Sequence, residues 1–552
     1  MNTETRPRYF LLLTIGLVIA LLAGCGVPAA KPVEVNEKTW EKFGAKLEYL
    51  RQQMKIPGLS AAVVMDQKLV WAKGFGYADL ENRVEATPDT PYNLASVTKT
   101  VAATLVMQLV QEGVISLDDP VSKYGVELES EGTILVRHLL THTSSGVPGT
   151  TYIYDGGRYA YLAQVVEQAT GKNFGTLMQE RILEPLGMTN TWMDYPRCAT
   201  ALGQSPYPID WDGPDIEAAK PYQLSQSYEV IEGRECTIPF SAAAGLISTV
   251  ADLAKFDIAL DQNVLLTEET KAEMLAPAVS TVPNRTDLSH GLGWYSMEYM
   301  GTHLNWHAGW CAPSVSANII KAPEQNLTFI IMANTDHLSV PYPHVDITYS
   351  TLGQAFYQTF VYPRQTGKTV PEVNWETDED ALVGQLSGVT DPDLRKILER
   401  ELWAYRQLFA SVGKSDLAGR LLNVHRQVYP DFSPSNLDLY TCQGLAYDVS
   451  PTLVSDQVRL TEAELQRLVG DYVLSNTQAS SAGLPLEVRF EAINGKLVVA
   501  FAGGCLDLVA ITPTRFTAPD QEISVGVQMK GEEVERVTVN GDGFEAAYLP
   551  KE

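Results

Sequence analysis

Cysteine and positive charge are both scarce in this chain. Its 552 residues include only six cysteines, too few to hold the fold together mainly by disulfides. Lysine and arginine number 41 against 67 aspartates and glutamates, which leaves a formal net charge of −26. Such a chain repels phosphate backbones, so we expect no nucleic acid among its partners and no polybasic patch for a membrane surface. Hydrophobic residues make up 45% of the chain, which excludes a mainly disordered protein.

Long hydrophobic runs are also missing, apart from one near the amino terminus. The run Phe10–Leu22 is shorter than the roughly 20 residues that span a bilayer, and it follows a short basic start that is typical of a secretory signal. It ends in Leu22-Ala23-Gly24-Cys25, which resembles the lipobox of bacterial lipoproteins. That resemblance implies a signal peptide over residues 1–24, lipidation of the Cys25 thiol and a flexible tether over residues 25–38.

We therefore expect an exported protein whose lipid anchors it to the cell membrane or outer membrane of a bacterium, with no other membrane contact. The alternative is a plain signal peptide with an incidental cysteine. Lipidation of Cys25 leaves an odd number of cysteines, so at least one thiol is free. Cys198 and Cys236 are a candidate disulfide pair in an exported protein, and the alternative is that every remaining thiol is reduced. For Cys311, core packing is favoured over a reactive thiol.

The hydrophobic pattern predicts an α+β unit over residues 39–365. A helical period covers Trp40–Met54, and two apolar runs around a turn at residues 66–68 predict a hairpin. Helices follow, and further strands are predicted at Gly291–Tyr295, Ser316–Ile320 and Leu327–Met332. Strands at both ends with helices between them predict one antiparallel sheet covered by helices.

Two further regions follow this unit. Residues 366–458 are charged and helical, and the pattern leaves open whether they pack on the preceding unit or form an independent layer. Thr461 and Glu464 fit a capping box that begins a short helix. Alternating apolar residues and the turn signal Asn494-Gly495 then predict a small antiparallel barrel or sandwich over residues 459–552.

The sequence Ser96-Val97-Thr98-Lys99 is the first motif that carries chemistry. Its serine and lysine are three residues apart at the start of a helix, so both side chains share one face. A serine hydroxyl needs a base to become a strong nucleophile, and a lysine in an enclosed site can serve as that base. Alone, Ser-x-x-Lys is common, and a capped helix is the ordinary explanation.

Other motifs follow in a fixed order: Ile56-Pro57-Gly58, Leu117-Asp118-Asp119-Pro120-Val121, Leu139-Leu140-Thr141-His142-Thr143, Tyr154-Asp155-Gly156, Gly245-Leu246-Ile247-Ser248, Gly291-Leu292-Gly293-Trp294 and His307-Ala308-Gly309. In this order and spacing the chain resembles the serine β-lactamase and penicillin-binding-protein-like hydrolases of the class C type. The resemblance covers roughly residues 40–360 and implies their antiparallel sheet flanked by helices. The last ninety or so residues resemble the β-rich domain that often follows such hydrolases.

The resemblance assigns catalytic roles to four side chains. Ser96 matches the family nucleophile and Lys99 its general base. Tyr154 matches the tyrosine of the Tyr-x-Asn motif, which shares the proton transfers near the leaving group. His307 begins the His-x-Gly form of the Lys-Thr-Gly strand motif, which is common among esterase and peptidase members.

The resemblance also assigns backbone and substrate contacts. The N–H groups of Ser96 and Trp310 match the oxyanion hole, in which one donor is worth roughly 3 kcal/mol in the transition state. Gly309 and Gly156 match substrate-binding positions. Gly156 departs from the family, which usually has an asparagine there, and this removes one polar contact to the substrate.

These assignments predict a lipid-anchored serine hydrolase that acts through an acyl-enzyme on an ester, an amide or a D-amino-acid peptide, with a small molecule or peptide as substrate and no cofactor. A catalytically weak lipoprotein that senses cell-wall fragments and a true β-lactamase are the alternatives. His138 and His142 have the spacing of a metal pair, but the resemblance gives their block a structural role, and we expect no metal. We expect His307 to be uncharged near neutral pH and to attract carboxylates once it is protonated toward about pH 6.

Overall fold

The computed structural model describes residues 35–193 except 146, 217–338 except 226, 237, 239, 282–285 and 312, 346–430, and most of 461–550. In the last range, residues 475–486, 494–495, 502–503, 513–514, 519–522, 532 and 542–543 are outside the description. The predictions for the signal peptide, Cys25, Cys198 and the Asn494-Gly495 turn lie outside the described residues. Within the described ranges, no helix combines the length and apolar character needed to cross a membrane.

The described residues of the first unit form fourteen strands: β1 Gly58–Met65, β2 Lys68–Asp79, β3 Val84–Glu85, β4 Tyr92–Asn93, β5 Trp192–Met193, β6 Tyr222–Leu224, β7 Val230–Glu232, β8 Leu246–Ser248, β9 Val279–Ser280, β10 Leu288–His290, β11 Tyr295–Tyr299, β12 Thr302–Cys311, β13 Val315–Ala322 and β14 Leu327–Ala333. Nine of them form one antiparallel sheet in the order β3-β2-β1-β14-β13-β12-β11-β10-β9. The predicted single sheet with strands from both ends of the unit is therefore confirmed.

Helices cover both faces of this sheet. Their bounds are Glu37–Gln53, Thr98–Gln111, Val136–Leu140, Gly156–Ala160, Leu162–Thr170, Phe174–Met178, Val250–Asp261, Glu268–Leu275, Thr351–Phe356, Tyr362–Thr366, Glu379–Ser387, Pro392–Ser411 and Ser415–Val428. Short 3₁₀ turns lie at Ala95–Val97, Val121–Tyr124, Pro323–Gln325, Asp336–Leu338 and Ile347–Tyr349, and π-type turns at Gln179–Leu183 and Tyr357–Val361.

Strand β1 shows how the sequence separates two hydrophobic cores. Successive side chains of a strand point to opposite faces, and here both faces are apolar. Ala62 and Val64 join the core that surrounds the helix Thr98–Gln111. Ala61 and Val63 join the second core, which packs under the amino-terminal helix Glu37–Gln53. The first core holds the helix that follows Ser96, so the candidate nucleophile lies at its edge.

The helices after residue 366 pack on this second core. Trp375, Leu382, Leu402 and Phe409 are buried in the same cluster as Phe43 of the amino-terminal helix. The question that the sequence left open is thereby answered in favour of packing on the preceding unit. The predicted domain limits themselves stay predictions.

The last unit is a closed barrel of eight antiparallel strands, which decides between the two predicted architectures. Its strands are β15 Gly470–Leu474, β16 Glu487–Ile493, β17 Lys496–Phe501, β18 Gly504–Thr512, β19 Arg515–Ala518, β20 Ile523–Lys530, β21 Glu533–Gly541 and β22 Phe544–Pro550. Pairing of β15 with β22 closes the barrel, and the buried Tyr472 and Phe490 rings meet inside it edge to face at 5.1 Å. The predicted capping box of Thr461 and Glu464 is confirmed at the helix Glu462–Gln466.

One predicted strand is wrong. Residues 291–294 form a turn between β10 and β11, and a strand resumes only at Tyr295. Gly293 has a φ of +82° and lies so close to the helix after Ser96 that a Cβ there would be 2.7 Å from the Ala103 Cβ. This close packing buries the apolar residues of the turn. Their apolar sequence therefore looks like that of a buried strand.

Candidate active site

Ser96 lies in a strained turn that leads into a buried helix. The 3₁₀ turn Ala95–Val97 continues as the helix Thr98–Gln111. Ala95 has a φ of +43°, a conformation that an alanine rarely adopts. The Asn93 side chain accepts a hydrogen bond from the Ala95 N–H at 2.8 Å, and the Leu94 N–H donates to the Leu246 carbonyl at 2.8 Å. These contacts hold the strained turn in place and fix the position of Ser96.

Lys99 lies beside Ser96 and is almost completely buried, with 1% of its surface exposed. Its Nζ lies 3.0 Å from Ser96 Oγ and donates to the Ala243 carbonyl oxygen at 2.9 Å. Burial lowers the pKa of Lys99 to about 7, while the nearby Asp155 carboxylate acts in the opposite direction. A large fraction of Lys99 is therefore a neutral amine near neutral pH, in contact with the hydroxyl that needs a base.

Tyr154 forms the exposed wall of this site. Its ring lies 4.9 Å from Lys99 Nζ and stacks on His142 at 4.3 Å, while 41% of the residue surface is exposed. Burial of its hydroxyl raises the pKa of Tyr154, and a hydrogen bond with Ser96 opposes that rise. The structure thus brings Ser96, Lys99 and Tyr154 into one cluster.

Strand β12 supplies the opposite wall. Gly309 runs so close to the serine turn that a Cβ there would overlap the Leu94 carbonyl oxygen and lie 3.3 Å from the Val97 nitrogen. Only glycine permits this approach of β12 to the serine turn, and Trp310 is the next residue of the strand. The Trp310 side chain is 51% exposed, and its indole N–H donates to Asp336 at 3.3 Å. The oxyanion role of Ser96 and Trp310 stays a prediction.

His307 is present in this wall, but its expected titration near pH 6 is wrong. The residue is 1% exposed, and its Nδ1 lies 2.8 Å from the Ala308 carbonyl oxygen. Burial, helped by Lys99 and His290, lowers the pKa of His307 well below its ordinary value. The neutral form of the ring is therefore favoured more strongly than in a free imidazole, and near neutral pH the ring offers a carboxylate no cation.

Gly156 lies at the base of the cluster, where it begins the helix Gly156–Ala160. A Cβ at this position would be 4.0 Å from Lys99 Nζ, an ordinary contact distance, so the missing asparagine leaves open space beside the base. Asp155 caps the same helix by accepting the Arg158 N–H at 2.9 Å.

The structure corrects the predicted cysteine chemistry. Cys236 pairs with Cys311 in a disulfide, with Cα atoms 5.9 Å apart. The predicted pair of Cys198 with Cys236 and the alternative of fully reduced thiols are therefore both wrong, whereas the predicted core packing of Cys311 is confirmed. The two cysteines pack with Ala95 and Val315 in a small core beside the serine turn. Spacing along the chain contained no signal for this pair, because 75 residues separate its members.

His138 and His142 do not form a pair on one helix face. His138 lies in the helix Val136–Leu140, whereas His142 lies beyond its end with a φ of +54°. In the part of the chain that the structure describes, no group of histidine, cysteine, aspartate and glutamate has the arrangement of a metal site.

Sequence reasoning missed two contributors to this site. The Ala243 carbonyl holds Lys99, and its segment of small residues gave no signal. His290, at the end of β10, lies within 6.3 Å of His307 between ring centroids. Its position directly before the Gly291 motif was the only available signal.

Comparisons with known proteins agree with this geometry. A family model described as Beta-lactamase matches residues 47–347, more than half of the chain. The chain belongs to the β-lactamase family. It is a serine hydrolase of that family, as the motifs predicted.

Two curated proteins are similar in sequence to about half of this chain. The putative penicillin-binding protein PbpX of Bacillus subtilis (strain 168) is 25% identical over 48% of this chain and 70% of its own length. Protein flp of Staphylococcus aureus (strain NCTC 8325 / PS 47) is 25% identical over 53% of this chain, and the match spans 63% of its own length.

A solved structure resembles nearly the whole chain. The octameric penicillin-binding protein homologue from Pyrococcus abyssi is 17% identical, has a TM-score of 0.50, and is matched over 92% of this chain and 99% of its own. At this identity the likeness shows the fold alone.

Proposed function

We propose that the protein hydrolyses neutral esters or amides through an acyl-enzyme on Ser96. The observation that carries this proposal is the buried, largely neutral Lys99 amine 3.0 Å from Ser96 Oγ. Lys99 takes the hydroxyl proton as Ser96 attacks the substrate carbonyl, and the Ser96 and Trp310 N–H groups face the resulting oxyanion. Lys99 and Tyr154 return a proton to the leaving group, and water then hydrolyses the acyl-enzyme.

The preference for neutral substrates follows from the charges around Ser96. A substrate with a free carboxylate, such as a penicillin or a peptide with a D-alanyl terminus, binds well only if a cation lies near its carboxylate. His307 occupies the position of the family lysine and stays neutral, and Lys99 is largely uncharged because of its burial. A substrate without a carboxylate loses nothing by this arrangement.

Labelling with a fluorophosphonate probe tests the nucleophile. Ser96→Ala should abolish labelling and leave the fold intact, because only a hydroxyl is removed. Ser122→Ala is the matched control, since Ser122 is exposed and far along the chain from the serine turn. Labelling that persists in Ser96→Ala, or that maps to another residue by mass spectrometry, contradicts the assignment.

A matched peptide pair tests the substrate preference. Acetyl-D-alanyl-D-alanine and its carboxamide differ only in the terminal charge. We expect a higher kcat/KM for the carboxamide at pH 7.5, where most of Lys99 is neutral and burial keeps the pKa of His307 low. A higher kcat/KM for the free acid at pH 7.5 overturns this part of the proposal.

The alternative function is a binding protein with weak catalysis, and Gly156 is the observation that favours it. Wild-type protein that binds the peptides but is not labelled by the probe supports this alternative. Gly156→Asn discriminates further, because the open space beside Lys99 accommodates an amide. If the missing amide limits catalysis, the variant should react faster than wild type by about tenfold, the effect of one hydrogen bond of ordinary strength.

The lipid anchor is a separate proposal that rests on the lipobox-like Leu22-Ala23-Gly24-Cys25. We propose that the exported chain is attached to a bacterial membrane through acyl chains on Cys25, which also defines its location. Two or more acyl chains give stable attachment, so Cys25→Ser should move the protein from the detergent phase to the aqueous phase. Identical partitioning of both forms contradicts the anchor.

A further inference from the structure

Three buried imidazole rings lie behind Tyr154. The ring of His290 is 5.1 Å from that of His142 and 6.3 Å from that of His307, measured between centroids. All three residues are at most 2% exposed. The Nε2 atom of each ring is buried and contacts no hydrogen-bonding group of the described residues. Buried polar nitrogen atoms of this kind nearly always have a partner, and leaving three unpaired in one place is energetically expensive.

The contacts of the other ring nitrogen fix the tautomer of each histidine. Nδ1 of His290 lies 2.7 Å from the Gly291 carbonyl oxygen, and Nδ1 of His307 lies 2.8 Å from that of Ala308. Each Nδ1 must therefore carry the proton, which leaves Nε2 with a lone pair. His142 is the reverse case, because its Nδ1 accepts the Asp155 N–H at 3.0 Å, so its Nε2 carries the proton.

The cluster therefore presents one donor, His142 Nε2–H, and two acceptors, the Nε2 atoms of His290 and His307. We propose that these three histidines bind a single structural water molecule. A water molecule accepts one hydrogen bond from His142 and donates one each to His290 and His307, which satisfies every group. A metal ion does not fit this set, because the Nε2 atom of His142 carries a proton and has no in-plane lone pair to donate to a metal.

This water connects two walls of the active site. His142 stacks on Tyr154, and its carbonyl accepts the Ile153 N–H at 2.8 Å, so it is attached to the segment that carries the tyrosine. His307 belongs to the strand that carries Trp310. His290 touches neither wall through a hydrogen bond of its own side chain among those described, and it acts as a positioning residue that holds the water between them.

The side-chain amides of glutamine and asparagine separate this role from a merely structural one. His290→Gln places an amide near the position of Nε2 and keeps an acceptor for the water. His290→Asn places its amide near the position of Nδ1 and keeps only the contact with the Gly291 carbonyl. We expect fluorophosphonate labelling of His290→Gln within about threefold of wild type and of His290→Asn about tenfold slower, the effect of one unpaired buried group.

A crystal structure of the wild-type protein at about 1.5 Å resolution tests the site without reference to catalysis. It should show one water within hydrogen-bond distance, about 2.7–3.2 Å, of all three Nε2 atoms. Absence of that water, direct pairing of the Nε2 atoms, or faster labelling of His290→Asn than of His290→Gln overturns the proposal. If wild-type protein is not labelled at all, the proposed catalytic function fails, while the crystallographic result still decides the water site.

Discussion

The rate at which Ser96 becomes acylated should follow the deprotonation of Lys99. Burial lowers the pKa of Lys99 from 10.5 to about 7, and the neutral amine is the form that can accept the Ser96 proton. The folded protein thus holds a base that is active near neutral pH, whereas an exposed lysine is almost fully protonated there. We expect the labelling rate to rise with pH up to this value and then to level.

The size of the effect follows from the neutral fraction of the amine. For a pKa of about 7, this fraction is about 3% at pH 5.5, about 76% at pH 7.5 and about 99% at pH 9. The rate should increase about 25-fold over the first interval and only about 1.3-fold over the second. An ordinary lysine with a pKa near 10.5 gives about a 30-fold increase over the second interval, so that interval discriminates between the two cases.

The assay is the second-order rate constant for fluorophosphonate labelling between pH 5.5 and 9 at constant ionic strength. Asp155→Asn is the matched variant, since an asparagine still caps the helix but removes the charge that raises the pKa of Lys99. Its profile should shift to lower pH. A wild-type rate that keeps rising steeply above pH 8, or an unshifted profile for Asp155→Asn, refutes the assignment of the profile to Lys99.

Three further predictions concern the stability of the fold, the disulfide and the extent of the catalytic unit. Lys99→Met should abolish labelling but raise the unfolding temperature by several degrees below pH 7, because the folded state depresses the pKa of Lys99, and this gain should fade as pH rises toward 10.5. Replacing Cys236 and Cys311 by serine should slow labelling and increase proteolysis of residues 233–245, whereas equal behaviour in limited proteolysis and labelling contradicts a positioning role for the disulfide. A chain shortened to end at residue 430 should stay soluble and be labelled, while one that ends at residue 365 should aggregate because it exposes the second core.

Much of the fold could be predicted because its signals are local. The helix Glu37–Gln53 and the hairpin of β1 and β2 follow from the period of their apolar residues, and the Thr461 capping box needs only four residues. The turn at residues 291–294 was mistaken for a strand because burial by tertiary packing produces the same apolar pattern as a strand. The helices after residue 366 showed an apolar stripe, but a stripe does not identify the surface that covers it.

In the candidate site, too, local features could be predicted from the sequence and long-range features could not. Ser96 and Lys99 are three residues apart where a 3₁₀ turn continues as a helix, so their contact follows from local helical geometry. The disulfide joins residues far apart in sequence, and only the folded chain brings them together. The neutral state of His307 depends on burial by surrounding elements, which a motif of three residues does not describe.

Asp346 lies at the end of the family match but makes contacts with residues well beyond it. The β-lactamase family match ends at residue 347, yet Asp346 is fully buried and accepts a hydrogen bond at 3.3 Å from Arg400, more than fifty residues further on. A gene fragment cut at the family limit would lose the helix Pro392–Ser411 and with it the ion pair between Arg400 and Asp346. The contacts of the catalytic unit therefore extend beyond the residues that match the family.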